Sequence, residues 1–436
     1  MGSLRAGFGK IDITPRVGAR LVGYAGREQG STGVHDRLFA RALVLENEGR
    51  AWALCALDLC YFREPSVAAV REIVGGQTHI PGDHVFICTT HTHSGPDDAD
   101  TDSYPTPLPE LVAEAIIQAA SQLRPAALAV GYGVLYGHSI NRRWIHRPID
   151  PAVTVIRVDD DDGRPLGLVT NFGLHGVVLG ADNLLISADW PGYAMAALER
   201  ALGEEAVCLF TQGGSADANP LTRRVQERLR SGRPVRAIGH VSTYYGPDDS
   251  SDAWNIGDRR GGTFEEAAVI GEAFADEALR VAHGLRPQRV DGPLWVERVV
   301  VNVAAAPDER GERREAILSV ELPWVPNRDG ERPLEIMAVG IEGPSGILIL
   351  GQPGEIFAET AMELRRALET MGYHCPMIVG YANGWQLYLP PASAFPEGGY
   401  EVDWARYMGF SPDLQQRIWE SIRPRLAAHA PGGDRG

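Results

Sequence analysis

His91 and His93 follow the apolar run VFICTT and form the first chemical signal in the chain. In extended backbone, residues two apart point to the same side, so both imidazoles face one region. Other apolar runs also end on polar residues. LVTNFGL leads to His175, AVCLFTQ to the segment Gly213 to Pro220, GILILGQPG to Glu355, and MIVGYANGW to Tyr388. In α/β sheets, ligands bind beyond the carboxyl ends of the strands, where the loops converge. His91, His175 and Glu355 then form a two-imidazole, one-carboxylate set, the donor composition of a catalytic zinc site with one position left for water. Of His91 and His93, one would ligate the metal and the other would donate a hydrogen bond to a developing oxyanion. A strand-end histidine can equally bond backbone and do nothing more, so convergence is the property that decides.

The elements that must bring these residues together are legible as two periodicities. Branched and aromatic runs bounded by Gly, Pro or Asp predict strands over Trp52–Leu59, Val85–Thr89, Gly167–Phe172, Ala206–Phe210, Leu294–Val303, Gly346–Leu350 and Met377–Tyr381. After Pro109, apolar residues recur at Leu111, Val112, Ala115, Ile116, Ala119, Ala120 and Leu123, one face of a 3.6-residue repeat. Similar patterns predict helices over Gly192–Leu202, Phe264–His283, Ile356–Leu368 and Asp413–Ala428. Alternating strands and helices imply an α/β fold with mixed β-sheets flanked by helices. No internal repeat is present. The expectation is one domain over residues 1–436, with loop insertions at about 223–262 and 389–400.

Composition removes several function classes. The formal net charge of −16 disfavours nucleic acid, because nothing offsets repulsion from the phosphates. Lys10 is the only lysine among 41 basic residues and has no glycine-rich turn of the required spacing. Schiff-base and phosphate-loop chemistry therefore drop out. The five cysteines match neither a disulfide framework nor a zinc ribbon. No apolar stretch approaches the roughly 20 residues of a membrane helix, and MGSLRAGFGK has no signal-like core, so no membrane anchor and a cytoplasmic location are expected. Arg223–Arg236 and the acidic run Asp97, Asp98 and Asp100 read as solvated faces. Trp385, Tyr388, Phe395 and Tyr400 form an aromatic group that would be either a substrate wall or ordinary core.

Ten motifs occur in an order that resembles the catalytic N-terminal domain of the neutral/alkaline (non-lysosomal) ceramidases, from about Gly7 to about Glu401. They are Asp12-Ile13-Thr14-Pro15, Val22-Gly23-Tyr24, Gly33-Val34-His35-Asp36, Asp58 in ALDLC, HTHSGP from His91, Asn141-Arg142, Asn171 to Gly176, Ile186 to Asp189, Phe210-Thr211-Gln212, and Pro353-Gly354-Glu355. The resemblance implies that His91, His175, Glu355 and Tyr388 bind one Zn2+ per chain. It also implies that His93, Arg142 and Tyr400 complete the catalytic site, with Tyr400 twelve residues beyond Tyr388. Asp58 and His35 match family positions with structural roles.

The sequence departs from the family pattern in two places. Alignment on Phe210-Thr211-Gln212 and Asp217 puts Asn219 where the family carries a serine implicated in activity. Ser215 lies four residues earlier and is not its equivalent. Asn219 can still donate a hydrogen bond to a carbonyl or oxyanion. The chain also ends about 35 residues after Glu401, with no room for the family's immunoglobulin-like C-terminal domain of roughly 100 residues.

The expected activity is therefore zinc-dependent hydrolysis of an amide bond in a soluble N-acyl small molecule, by attack of zinc-bound water. An esterase, lactonase or deacylase, or a glycan-directed enzyme, on the same scaffold is the alternative. A catalytically lapsed binding protein is another. Oligomeric state is not legible.

Overall fold

The computed structural model describes residues 4–24, 27, 29–144, 146–203, 205–230, 261–304, 331–343 and 346–431. Eight strands form the larger sheet in the order Val207–Gln212, Pro165–Phe172, Ala152–Asp160, Arg124–Val134, Arg5–Asp12, Phe39–Asn47, Arg50–Leu57 and Val85–Thr89. The pair at each end is parallel and the inner pairs are antiparallel, so the sheet is mixed as expected. The edge strands Val207–Gln212 and Val85–Thr89 come into contact, so the sheet curls. Gln212 staples that closure. Its Nε2 donates to the carbonyls of Thr90 at 3.0 Å and Leu174 at 2.7 Å.

Alternation along each strand divides the molecule into layers. In Ala152–Asp160, Val153 and Val155 face the helices Asp189–Leu202 and Phe264–Gly284. Ile156 and Val158 face the opposite way, into a core shared with Met337, Val339, Ile349 and Met377. Those four belong to a second sheet, Leu294–Ala304, Glu331–Ile341, Leu348–Gly351 and Met377–Val379. The outer face of that sheet is covered by the helices Ala358–Thr370 and Leu414–His429. Helices Glu64–Gln77 and Leu108–Ser121 cover the remaining outer face of the large sheet. Each fully buried Val, Leu or Ile in these cores contributes about 1.5–3 kcal/mol relative to exposure. The order of layers is helix, sheet, sheet, helix.

Local signals explain several boundaries. Phe264–Gly284 opens on a capping box: Thr263 Oγ1 accepts from the amide of Glu266, and the Glu266 carboxylate accepts from the amide of Thr263. Leu108–Ser121 carries Pro109 in its first turn, as the sequence predicts. Four strands of the larger sheet, Arg5–Asp12, Phe39–Asn47, Arg124–Val134 and Ala152–Asp160, are not among the expected elements, and one expected strand ends early. Phe39–Asn47 (FARALVLEN) is a strand although Ala, Leu, Arg and Glu favour helix, because both its faces are buried. The predicted strand Met377–Tyr381 stops at Val379, since Tyr381 adopts a φ of 54°.

Of the anticipated loop insertions, Arg223–Arg230 is helical, and residues 231–260 lie outside the described residues. The second contains the short strand Tyr388–Leu389, a 3₁₀ turn at Ala392–Glu397 and the start of the helix Tyr400–Tyr407. Among the described residues, no helix is long and apolar enough to cross a membrane.

Candidate metal centre

The site is built at the seam between the two sheets. His91 leaves the strand Val85–Thr89 on a left-handed residue, φ 62°, which turns the chain abruptly. A parallel bridge between Thr92 and Gly176 then ties the segments of His91 and His175 together. Gly176 is required there, because a Cβ would lie 2.7 Å from the carbonyl oxygen of His91. Glu355 pairs with Tyr388 in a short parallel ladder, so backbone register alone sets the carboxylate beside the phenol. Ser139–Asn141 pairs with Ala218–Pro220, which brings Asn219 alongside Arg142.

His91, His175 and Glu355 each offer one ligand atom, and the three lie within 4.8 Å of one another. Nδ1 of His91 lies 2.6 Å from the carbonyl of Cys60, and Nδ1 of His175 lies 2.6 Å from the carbonyl of Ser215. A carbonyl can only accept, so each Nδ1 carries the proton and each Nε2 presents a lone pair. Those Nε2 atoms sit 3.8 Å and 3.4 Å from Oε2 of Glu355. Burial pushes the His91 imidazolium down to about 3, and burial with Arg142 nearby lowers His175 well below its usual range. Both rings are therefore neutral at pH 7, the state in which imidazole binds a metal. Burial raises the Glu355 carboxyl, opposed by His91 and Arg142.

This donor set fits a divalent cation of the zinc type: neutral nitrogen ligands whose tautomers are fixed, one carboxylate, and a phenol next to it. Cys60, His91 and His93 form a second grouping within the same distance. Burial pushes the Cys60 thiol well up, which keeps it protonated and makes it the poorer ligand.

The remaining expected residues gather around this set. Nε2 of His93 is 3.0 Å from Nε2 of His91. The His93 ring meets Tyr24 edge-on at 4.8 Å, and its carbonyl accepts from Arg27 at 2.7 Å. Gly23, with φ 98°, makes room for that ring, because a Cβ would lie 2.4 Å from His93 Cγ. Tyr388 accepts from Nη2 of Arg142 at 3.1 Å and hydrogen-bonds Glu355. Nη1 of Arg142 donates to Oδ1 of Asn219 at 3.4 Å, and Nε donates to Glu401 at 2.8 Å. Tyr400 meets Tyr388 edge-on, with ring centroids 5.6 Å apart. All eight residues named from the sequence thus converge.

The other sequence signals resolve as structure. Asp58 is buried against Arg41 at 2.6 Å. Asp97 and Asp98 are not a solvated face: both bind Arg63, Asp97 also accepts from Tyr61, and Asp98 accepts from Ser66. Trp385 stacks on Tyr61 at 4.3 Å, which ties the aromatic group to that ion pair. His35 stacks on Phe264 at 3.7 Å. All five cysteines are buried and unbridged.

A family model for the N-terminal domain of neutral/alkaline non-lysosomal ceramidase matches residues 4–307. The chain belongs to that family. Neutral ceramidase A of Dictyostelium discoideum is 28% identical over 320 residues, 64% of this chain and 44% of the relative. A neutral ceramidase of Mycobacterium tuberculosis is 24% identical over 91% of this chain and 73% of its own length. The chain spans less than half of the two Dictyostelium relatives, 44% and 47% of their lengths. The crystal structure of neutral ceramidase from Pseudomonas aeruginosa shares the fold, with a TM-score of 0.76, 21% identity, and coverage of 99% of this chain and 75% of that one. Glu355, Tyr388 and Tyr400 lie beyond the segment matched by the ceramidase family model, so their place in the site rests on the geometry above.

Proposed function

We propose that this ceramidase-family chain is a zinc-dependent hydrolase that cleaves the amide bond of an N-acyl substrate. One observation carries the reading: two neutral, tautomer-fixed imidazoles and a buried carboxylate share one point at the seam of two sheets. His91, His175, Glu355 and Tyr388 would hold the ion. When bound, it supplies a Lewis acid that makes water nucleophilic near neutral pH. His93, next to His91, donates a hydrogen bond to the oxyanion that develops as the acyl carbon becomes tetrahedral. Tyr400, whose ring meets Tyr388 edge-on, would give its hydroxyl proton to the departing amine and take back the proton that the attacking water releases. Arg142 already has protein partners at all three nitrogens, so it acts by orienting Tyr388 and Asn219.

The named relatives act on ceramide, whose N-acyl amide is the bond this chemistry would break. A short-chain N-acyl sphingoid base and a soluble N-acyl amino compound, assayed side by side, decide between a lipid and a soluble substrate. The purified protein is expected to contain about one zinc per chain and to lose amide cleavage on chelation. His175→Ala should remove both zinc and activity while far-UV circular dichroism stays unchanged. A His175→Ala protein that remains fully active would overturn the proposal. Zinc with cleavage of esters or lactones alone would move the reading to the esterase alternative, and absence of zinc would favour a binding protein.

A further inference from the structure

Two residues at the centre, Tyr381 and Ser215, lie in none of the ten family motifs. Tyr381 follows the strand Met377–Val379 and is buried, with a φ of 54°. A bulky aromatic takes up left-handed backbone only where its surroundings impose it. Here the amide of Tyr381 donates to the carbonyl of Gly354 at 3.0 Å, which fastens it to the residue before Glu355. Its ring lies against His91, with centroids 4.2 Å apart. Its hydroxyl donates to Oε2 of Glu355 at 3.3 Å and meets Oγ of Ser215 at 3.0 Å. Ser215 is itself the residue whose carbonyl fixes Nδ1 of His175.

Tyr381 and Ser215 between them touch three of the four proposed ligands, His91, Glu355 and His175. A phenol has one hydrogen. With that hydrogen given to Glu355, the Ser215 hydroxyl must donate to the phenol oxygen. The chain Ser215, Tyr381, Glu355 is then directional and ends on the carboxylate oxygen that also faces both histidines.

We propose that Tyr381 and Ser215 are positioning residues, a hydroxyl clasp that holds the Glu355 carboxylate toward the cation and sets the metal affinity of the centre. The inference rests on the metal site proposed above and adds a residue pair to it. Partners that hydrogen-bond a ligating carboxylate typically change metal affinity 10–100-fold when removed.

Zinc affinity, measured by competition with a chromophoric chelator, tests the clasp without reference to turnover. Tyr381→Phe keeps the ring on His91 and removes the hydroxyl, and it should weaken zinc binding about 10–100-fold. Ser215→Ala should weaken it by a smaller factor. Because Ser215 acts through the phenol, adding Ser215→Ala to the Tyr381→Phe background should cost nothing further. The rise in melting temperature on zinc addition should shrink in step, whereas loss of simple packing would lower the metal-free melting temperature and leave affinity unchanged. Affinity within twofold of wild type in Tyr381→Phe would overturn the clasp. So would an equal loss from Ser215→Ala with and without the tyrosine hydroxyl. A wild-type protein that takes up no zinc would instead overturn the site on which the clasp rests.

Discussion

Glu355 and Glu401 are both buried glutamates, each within reach of Arg142, and their surroundings divide the site into two regions. Glu401 accepts from Nε of Arg142 at 2.8 Å and from Nη1 of Arg143 at 2.6 Å, and both guanidiniums are themselves buried. Burial opposes ionisation there, but the two arginines outweigh it and hold the Glu401 carboxyl below its usual range. Glu355 faces two neutral imidazoles and two phenols, and burial raises it. The same side chain is a finished ion pair in one place and an under-neutralised acceptor in the other. Permanent positive charge makes structure. Its replacement by lone-pair donors leaves a carboxylate that a divalent cation would complete.

The contrast breaks most sharply at Glu401. Glu401→Gln removes the carboxylate shared by two buried guanidiniums and leaves Arg143 its longer pair with Glu397 at 3.3 Å. Removing one partner of a buried pair typically costs about 3–5 kcal/mol. Urea unfolding of the metal-free protein should show a loss of that size. A loss under about 1 kcal/mol would mean that Arg142 and Arg143 find other partners, and the division above would fail. The next effect falls on rate rather than stability. His93→Ala removes a donor next to the ligand set but no proposed ligand, so kcat should drop about 10²–10³-fold. Bound zinc should stay near the wild-type level. Loss of zinc in that variant would move His93 from the catalytic group into the ligand set.

What could be read from the sequence follows the same division. His91, His175 and Glu355 are legible because each closes an apolar run, and strand ends in such sheets converge. Tyr388 also follows an apolar run, MIVGYANGW, and shares an aromatic group with Tyr400, but the roles of Arg142, Tyr388 and Tyr400 came only from the resemblance to the family. Glu401 was visible only as the neighbour of Tyr400. Its bonds to Arg142 and Arg143 span 259 and 258 positions, a pairing that no local periodicity encodes. Tyr381 was taken into a strand because MIVGY reads as branched and aromatic. Its positive φ is imposed by the contacts of Gly354 and His91, which are tertiary. Mixed sheets flanked by helices were legible from the order of strand and helix patterns, but four strands of the larger sheet were not among those expected. In one of them, Phe39–Asn47, burial on both faces overrides a helical composition.

The smallest effect tests the other glutamate and has the opposite sign. The folded protein holds the Glu355 carboxyl above its ordinary value of 4.5, so it binds a proton over a pH range where the unfolded chain has released it. Stability is therefore fullest below the ordinary carboxylate range and falls as pH rises through the raised value. Glu355→Gln has the same shape and no proton to lose. In metal-free protein at pH 8 it should be more stable than wild type, by on the order of 1 kcal/mol, with the advantage vanishing near pH 4. Zinc should reverse the order. A ligand at 1,000 times its Kd adds about 4.1 kcal/mol to the protein that binds it, and only wild type retains the carboxylate. Melting curves at pH 4 and pH 8, with and without zinc, give all four comparisons. If Glu355→Gln destabilises the metal-free protein at pH 8 as Glu401→Gln does, then Glu355 is a structural ion pair as well, and its carboxylate is not held for a cation.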